Sequence, residues 1–307
     1  MTKLGWLFPG QASQKVGMGL DLYNETKLGK KYFDTAQEIL NCDIKSIVFQ
    51  GPEEKLKQTE YTQPAIYIVS VILGHLMMDK GIKPNALAGH SLGEYSALTI
   101  AGAFEFKTGL KLVSDRAKFM AKAGQIEKGT MAAIVGIDDE MIESICSDYT
   151  GKGIVKAANF NSPGQIVISG TPDGIKWVIN KAKESGARMA IELNVSGAFH
   201  SPLMASAREQ LAEVLNSLEI SDTNYPVYTN VDSKPVTNSN EIKDSLIRQL
   251  ENPVQWSKSI SGMKDSGIQS FIEIGPGKVL QGINKRIDRS LKCRGIESIH
   301  QLENFFV

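Results

Sequence analysis

The stretch from Ala86 to Ala101 constrains the fold more than any other part of the chain. Ala86-Leu87-Ala88 reads as a short buried strand and Ser91 to Ala101 as a helix. Gly89-His90-Ser91-Leu92-Gly93 joins them, a G-x-S-x-G pattern in the strand–turn–helix setting that gives it meaning. A turn this sharp crowds its own backbone, so glycines flank the serine. A strand feeding a helix in this way belongs to an α/β protein with a mainly parallel sheet.

The rest of the chain alternates in the same manner. Leu4 to Phe8 predicts a first strand closed by Pro9-Gly10, and helices are expected over residues 64–80 and from about Thr108 to Lys122, ending at Gly124. Residues 130–194 have a different texture: strand (Met131 to Val135), helix (Asp138 to Tyr149), strand (Ile154 to Asn159), strand (Gln165 to Ser169), helix (Pro172 to Ser185), strand (Arg188 to Leu193). Asn161-Ser162-Pro163-Gly164 supplies the turn between the middle strands. That β-α-β-β-α-β order predicts a ferredoxin-like subdomain. Alternation then resumes, with Ser201-Pro202 and Asn252-Pro253 each reading as a capped helix start, and strands at Pro226 to Thr229 and Ser270 to Ile274. The expected organisation is an α/β-hydrolase-like large domain with a parallel sheet over residues 1–127 and 197–307, with a small ferredoxin-like subdomain at 128–196 inserted into it.

Composition narrows the class. Lys plus Arg and Asp plus Glu stand at 34 each, so no global field draws the chain to nucleic acid. Cys42, Cys146 and Cys293 lie far apart without a C-x-x-C pair, which argues against a disulfide framework and fits inert thiols in a reducing cytosol. The first ten residues do not read as a signal peptide. The apolar run from Ala65 to Met78 reads as a buried helix, too short to cross a bilayer, which takes about 20 residues. Metal-ligand spacings are absent from the sequence. Gly275-Pro276-Gly277-Lys278 lacks the upstream glycine and the Ser/Thr of a phosphate loop.

Ser91 is the first candidate for chemistry. At a helix N-terminus its Oγ is presented to solvent, and the helix dipole with the N–H of Leu92 favours an oxyanion beside it. The residues alone leave a second reading open, a helix merely capped by Ser91. Of the four histidines, His90 points away from its neighbour Ser91, His75 sits in an apolar helix, and His300 has no special setting. His200, on a loop before Ser201-Pro202, is the candidate base; no flanking carboxylate is evident to orient it, and a backbone carbonyl could take that place. Arg116, by residue type alone, could equally be one more solvated helix cation beside Lys111, Lys118 and Lys122.

Six segments together resemble the malonyl-CoA:acyl carrier protein transacylases. They are Phe8 to Gln14, Gly89 to Tyr95, Asn159 to Gly170, Gly197 to Ser201, Asn252 to Trp256 and Glu273 to Gly277, in order over nearly the whole chain. The resemblance implies that Ser91 is acylated and that His200 acts as base, oriented by the main-chain carbonyl of Gln249. It implies an oxyanion hole from the N–H groups of Gln11 and Leu92. It also implies that Arg116 receives the free carboxylate of malonate, and that Phe199 disfavours an α-methyl branch. Ala12 stands where the family has glycine, which is tolerable if that residue keeps a negative φ.

The implied activity is ping-pong transfer of malonyl from malonyl-CoA to the phosphopantetheine thiol of an acyl carrier protein, by a cytoplasmic monomer that needs no cofactor and binds neither nucleic acid nor membrane. A free-standing acyltransferase of a polyketide assembly line and a serine acyl hydrolase or thioesterase are the alternatives, with a catalytically silent scaffold a remoter one. Acyl carrier proteins are acidic. Lys278, Lys285, Arg286, Arg289 and Lys292 therefore form a candidate docking patch, or else a solvated helix face.

Overall fold

Two sheets, each with its own core, divide the work of the chain. A computed structural model describes residues 3–306, so Met1 and Thr2 of the N-terminal segment read above lie outside the described residues. The strands are β1 (Leu4–Phe8), β2 (Ala86–Gly89), β3 (Thr130–Val135), β4 (Val155–Ser162), β5 (Gln165–Gly170), β6 (Met189–Leu193), β7 (Val227–Tyr228), β8 (Pro235–Val236), β9 (Ser270–Ile274) and β10 (Lys292–Ile296). The large sheet runs β10-β9-β1-β2-β7-β8, parallel except for the short β7–β8 hairpin. Its inner strands β9, β1, β2 and β7 are short and almost wholly buried because helices cover both faces.

The small sheet has the order β4-β5-β3-β6 with every neighbouring pair antiparallel. Two helices, Asp139–Ser147 and Pro172–Glu184, pack on it around Ile134, Ile142, Ile166, Ile168 and Val178. That is the ferredoxin-like arrangement predicted from the sequence. The turn from β4 to β5 tightens to Pro163-Gly164, with Gly164 at φ 68°.

Several boundaries differ, each for a local reason. The helix predicted over 64–80 begins earlier and runs Thr59–Asp79, 21 residues, so length and hydropathy alone would allow it to cross a membrane. It is the core helix of the large unit: 78% of its most apolar window is buried inside the protein. Ser201 does cap a helical turn, accepting from the Leu203 N–H, but Asn252-Pro253 starts no helix. There the chain stays extended and Val254 is stitched into the edge of β4, donating to Ala158 O at 2.8 Å and accepting from Phe160 N at 2.9 Å. The next helix waits until Trp256. These two bonds join the small sheet to the large unit.

The C-terminal ends of β1, β2, β7 and β9 lie side by side, so the loops that leave them meet in one crevice, where an open parallel sheet places its ligands. The glycines of the β2 turn make this approach possible. A Cβ on Gly93 would lie 2.0 Å from Phe8 O, and one on Gly89 1.9 Å from the Gly93 carbonyl carbon. Both collisions are with backbone and cannot be relieved by a rotamer. Gly93→Ala should therefore lower stability by at least the ~1–3 kcal/mol of ordinary overpacking. Gly282→Ala is the contrast, since a Cβ there meets no atom within 4 Å in the helix Val279–Ile287. It should raise stability by about 0.5–1 kcal/mol. Thermal melting of the two variants checks both signs.

Candidate active site

The turn after β2 holds Ser91 at φ 49°, a left-handed conformation that costs a non-glycine residue roughly 1–2 kcal/mol. The surrounding bonds hold it there. His90 N donates to Phe8 O at 3.0 Å, Ser91 N donates to Asn230 Oδ1 at 2.7 Å, and Asn230 Nδ2 donates to Gly89 O at 2.6 Å. The helix Gly93–Ala101 follows at once, so Ser91 Oγ stands over its N-terminus.

His200 comes from the loop that returns from β6, itself at φ 59°. Its Nε2 lies 2.8 Å from Ser91 Oγ and its Nδ1 2.9 Å from Gln249 O. A carbonyl only accepts, so Nδ1 carries the hydrogen and Nε2 is left as an acceptor facing the serine hydroxyl. Burial pushes the imidazole down to about 3, with the Arg116 charge adding to the effect and the Gln249 carbonyl opposing it. The ring is therefore neutral throughout the physiological range.

Arg116 is fully buried on the inner stripe of the helix Phe106–Ile126, whereas Lys111, Lys118 and Lys122 are exposed. Nη2 donates to Ser91 Oγ at 3.0 Å and to Gln249 Oε1 at 2.9 Å, and Nη1 donates to Gln63 Oε1 at 2.7 Å. The guanidinium lies 5.2 Å from the Tyr95 ring, and its Nε has no hydrogen-bond partner among the described residues. All three acceptors are neutral, an unusual state for a buried cation.

Gln11, Ser91, Leu92, Arg116, Phe199 and His200 line one cavity of about 480 Å³. No acceptor within the described residues takes the backbone N–H of Gln11 or of Leu92. Ala12 sits at φ 82°, so the expected negative φ is not found. The loop keeps the glycine-type conformation and the alanine bears the strain, its N–H held by Gln14 Oε1 at 2.8 Å.

His90 faces away from Ser91, toward Asn161 Oδ1 at 2.9 Å and the Trp256 ring, and so ties the turn to β4. His75 is half-buried edge-on to Tyr32, and His300 is exposed beside Asn304. Lys278, Lys285, Arg286, Arg289 and Lys292 are all exposed, and Lys278 and Arg286 stand on the cavity wall.

Gln63, Asn230 and Glu94 were not singled out from the sequence as parts of this network. Glu94 could have been: it is the one charge in the run Gly93 to Ala101, otherwise apolar or small. Gln63 and Asn230 carry no signal beyond standing before an apolar run and at the end of a strand.

An α/β frame, an inserted ferredoxin-like sheet and a serine–histidine contact over a helix N-terminus define an acyl transferase domain, and residues 5–300 match that family. The chain is 44% identical over 304 residues to the malonyl CoA-acyl carrier protein transacylase of Bacillus subtilis, covering 99% of this chain and 96% of that one. With the transacylase of Escherichia coli K12 it shares 42% over 297 residues, 96% of each chain. An acyl carrier protein S-malonyltransferase from Vibrio cholerae superposes with a TM-score of 0.95 at 42% identity, covering 99% of this chain and 100% of that one. A malonyl-transacylase solved in complex with its type II polyketide acyl-carrier protein gives 0.95 at 39%, covering 98% of each. The chain belongs to the malonyl-CoA:acyl carrier protein transacylase family.

Glu94 gives the site a pH signature. Burial raises its carboxyl to about 7, against the Gln249 and Asn230 hydrogen bonds and Arg116 that pull it down; Asp232 adds to the rise. The folded pKa is above the unfolded one, so the folded state binds the proton more tightly. Stability from this group is complete below about 4.5 and lost as pH rises through about 7. Glu94→Gln, which never ionises, should gain melting temperature over the wild type at pH 8 and less, or none, at pH 5. An equal difference at both values would contradict the assignment.

Proposed function

We propose that this protein moves the malonyl group from malonyl-CoA to the phosphopantetheine thiol of an acyl carrier protein, through an ester on Ser91. The observation that carries the reading is Arg116: a fully buried cation at 3.0 Å from Ser91 Oγ whose partners are two amide oxygens and a hydroxyl. A guanidinium in that state has a fork to offer a carboxylate and gains most when one arrives. Acyl groups lacking the second carboxylate leave it as it was, which is the physical basis of selection.

In the first half-reaction His200 Nε2 takes the Oγ proton as Ser91 attacks the thioester carbonyl. The N–H groups of Gln11 and Leu92 receive the oxyanion. The carbon–sulfur bond breaks, His200 returns the proton to the departing thiolate, and CoA leaves. Acylation turns Oγ into an ester oxygen, a poorer acceptor, so an Nη2 hydrogen of Arg116 is freed for the malonyl carboxylate. The second half-reaction runs the same steps in reverse with the carrier thiol. A main-chain carbonyl stabilises an imidazolium less than a carboxylate would. The depressed His200 pKa therefore suits a base that gives its proton back quickly to a thiolate, whose conjugate acid lies near ~8.5. Transfer between two thioesters is close to isoenergetic and calls for no redox or metal cofactor.

Phe199, buried on the cavity wall, would crowd an α-methyl branch. The division into residues 1–127 with 197–307, and 128–196, belongs to the same reading, as does a monomeric enzyme working in the cytoplasm. The basic face carrying Arg286 would meet the acidic carrier. Similarity to a transacylase solved with its type II polyketide carrier favours a second pathway, the same transfer serving a polyketide assembly line. Preference between fatty-acid and polyketide carriers separates the two.

Intact mass after exposure to malonyl-, acetyl- or methylmalonyl-CoA tests the chemistry. A malonyl adduct should form, vanish in Ser91→Ala and fall by ~100-fold or more in rate in Arg116→Ala, the scale of a lost charged hydrogen-bond pair. Equal labelling by the three thioesters would refute the selectivity, and free malonate without an adduct would point to a hydrolase.

A further inference from the structure

Glu94 lies on the first turn of the helix after Ser91, 1% exposed, with no cation within ion-pair distance among the described residues. Its Oε2 accepts from Gln249 Nε2 at 2.6 Å and from Asn230 N at 3.2 Å. Gln249 does more than orient His200 through its main chain. Its Oε1 accepts from Arg116 Nη2 at 2.9 Å, and its Nε2 donates to Ser91 O at 3.0 Å as well as to Glu94.

A primary amide fits a site in two orientations that exchange its oxygen and its NH2 group. Turned over, the Gln249 amide would set NH2 against the guanidinium and oxygen against the Ser91 carbonyl and the Glu94 carboxylate. As found, every pairing is donor to acceptor. The Ser91 carbonyl occupies one amide hydrogen, and Glu94 takes the other with the shorter bond. Through Asn230, which receives Ser91 N and holds Gly89 O, the same carboxylate oxygen also supports the far side of the serine turn.

We infer that Glu94 is a positioning residue: by fixing the Gln249 amide it keeps that oxygen on Arg116 and so keeps the guanidinium at Ser91, where the acyl carboxylate is read. The inference rests on the reading of Arg116 given above. What it adds is that malonyl selectivity depends on a carboxylate that touches neither Arg116 nor the acyl group. The role is that of an acceptor at a fixed point. One oxygen of a glutamine at position 94 could meet both N–H groups, whereas a methionine of like length could meet neither.

Glu94→Gln and Glu94→Met, compared with the wild type, separate this role from plain packing. Intact-mass time courses give kcat/KM for acylation by malonyl-CoA and acetyl-CoA, and thermal melting checks the fold. The malonyl-to-acetyl ratio should stay within about threefold of wild type in Glu94→Gln. In Glu94→Met it should fall by about tenfold or more, the scale of one lost hydrogen bond to a charged group. An unchanged ratio in Glu94→Met, or a collapse in Glu94→Gln as deep as in Glu94→Met, overturns the inference. Should Glu94→Met fail to fold, a malonyl-to-acetyl ratio in Glu94→Gln more than threefold below wild type overturns the inference by itself. Wild-type protein that takes acetyl as readily as malonyl sinks the functional reading itself, before any variant is compared.

Discussion

Backbone crowding at the end of β2 sets the terms for everything around it. With Gly93 packed on Phe8 O and Gly89 packed on Gly93, the chain can leave the sheet only by one tight path, and Ser91 is forced to φ 49° at its apex. Neighbouring bonds hold that conformation: His90 N on Phe8 O from one side, Asn230 on both Ser91 N and Gly89 O from the other. His200 and Ala12, also left-handed, stand on the same cavity wall, so three of the five positive-φ residues other than glycine among the described residues cluster at one site. Strain concentrated in this way is a mark of imposed geometry.

Charge is arranged so that no buried ion touches its opposite. Arg116 and Glu94 are both buried, yet the amide of Gln249 stands between them, its oxygen on the guanidinium and its nitrogen on the carboxyl group. A direct pair would have satisfied Arg116. Through the amide, the guanidinium is held in place by neutral oxygens and, in the function proposed above, keeps its charge for an incoming carboxylate. His200 follows the same economy, with a carbonyl where a carboxylate is more usual, and burial then keeps it neutral.

Much of this was legible in the sequence because it is written in local patterns. The strand–turn–helix at Ser91 and the β-α-β-β-α-β order of residues 130–194 follow from apolar spacing and turn residues, and their strands fall within a few residues of where they were read. Arg116 was ambiguous by residue type, but helical spacing already separates it. Lys111, Lys118 and Lys122 fall on one face, while Arg116 falls with Val113 and Met120 on the buried one. What could not be read was of longer range. Whether Asn252-Pro253 caps a helix or feeds an edge bond depends on β4, about a hundred residues away. Asn230 meets Ser91 and Gln63 meets Arg116 from distant segments, and no pattern within a segment announces either meeting; Gln249 was named for its carbonyl through the family resemblance, but its side-chain bonds were not. Ala12 failed for another reason: steric preference argued for negative φ, and the loop's bonds outweighed it.

The claim on which the account turns is that Arg116, held by Gln63 and Gln249, reads the carboxylate of the acyl group on Ser91. The most direct measurement is a crystal structure of the protein treated with malonyl-CoA in the absence of any acceptor thiol. The account predicts an ester on Ser91 Oγ with its terminal carboxylate hydrogen-bonded to the Arg116 guanidinium, while Gln249 keeps its bonds to Glu94 and His200. A malonyl group whose carboxylate points to solvent, with Arg116 bound only to Gln63 and Gln249, would contradict it.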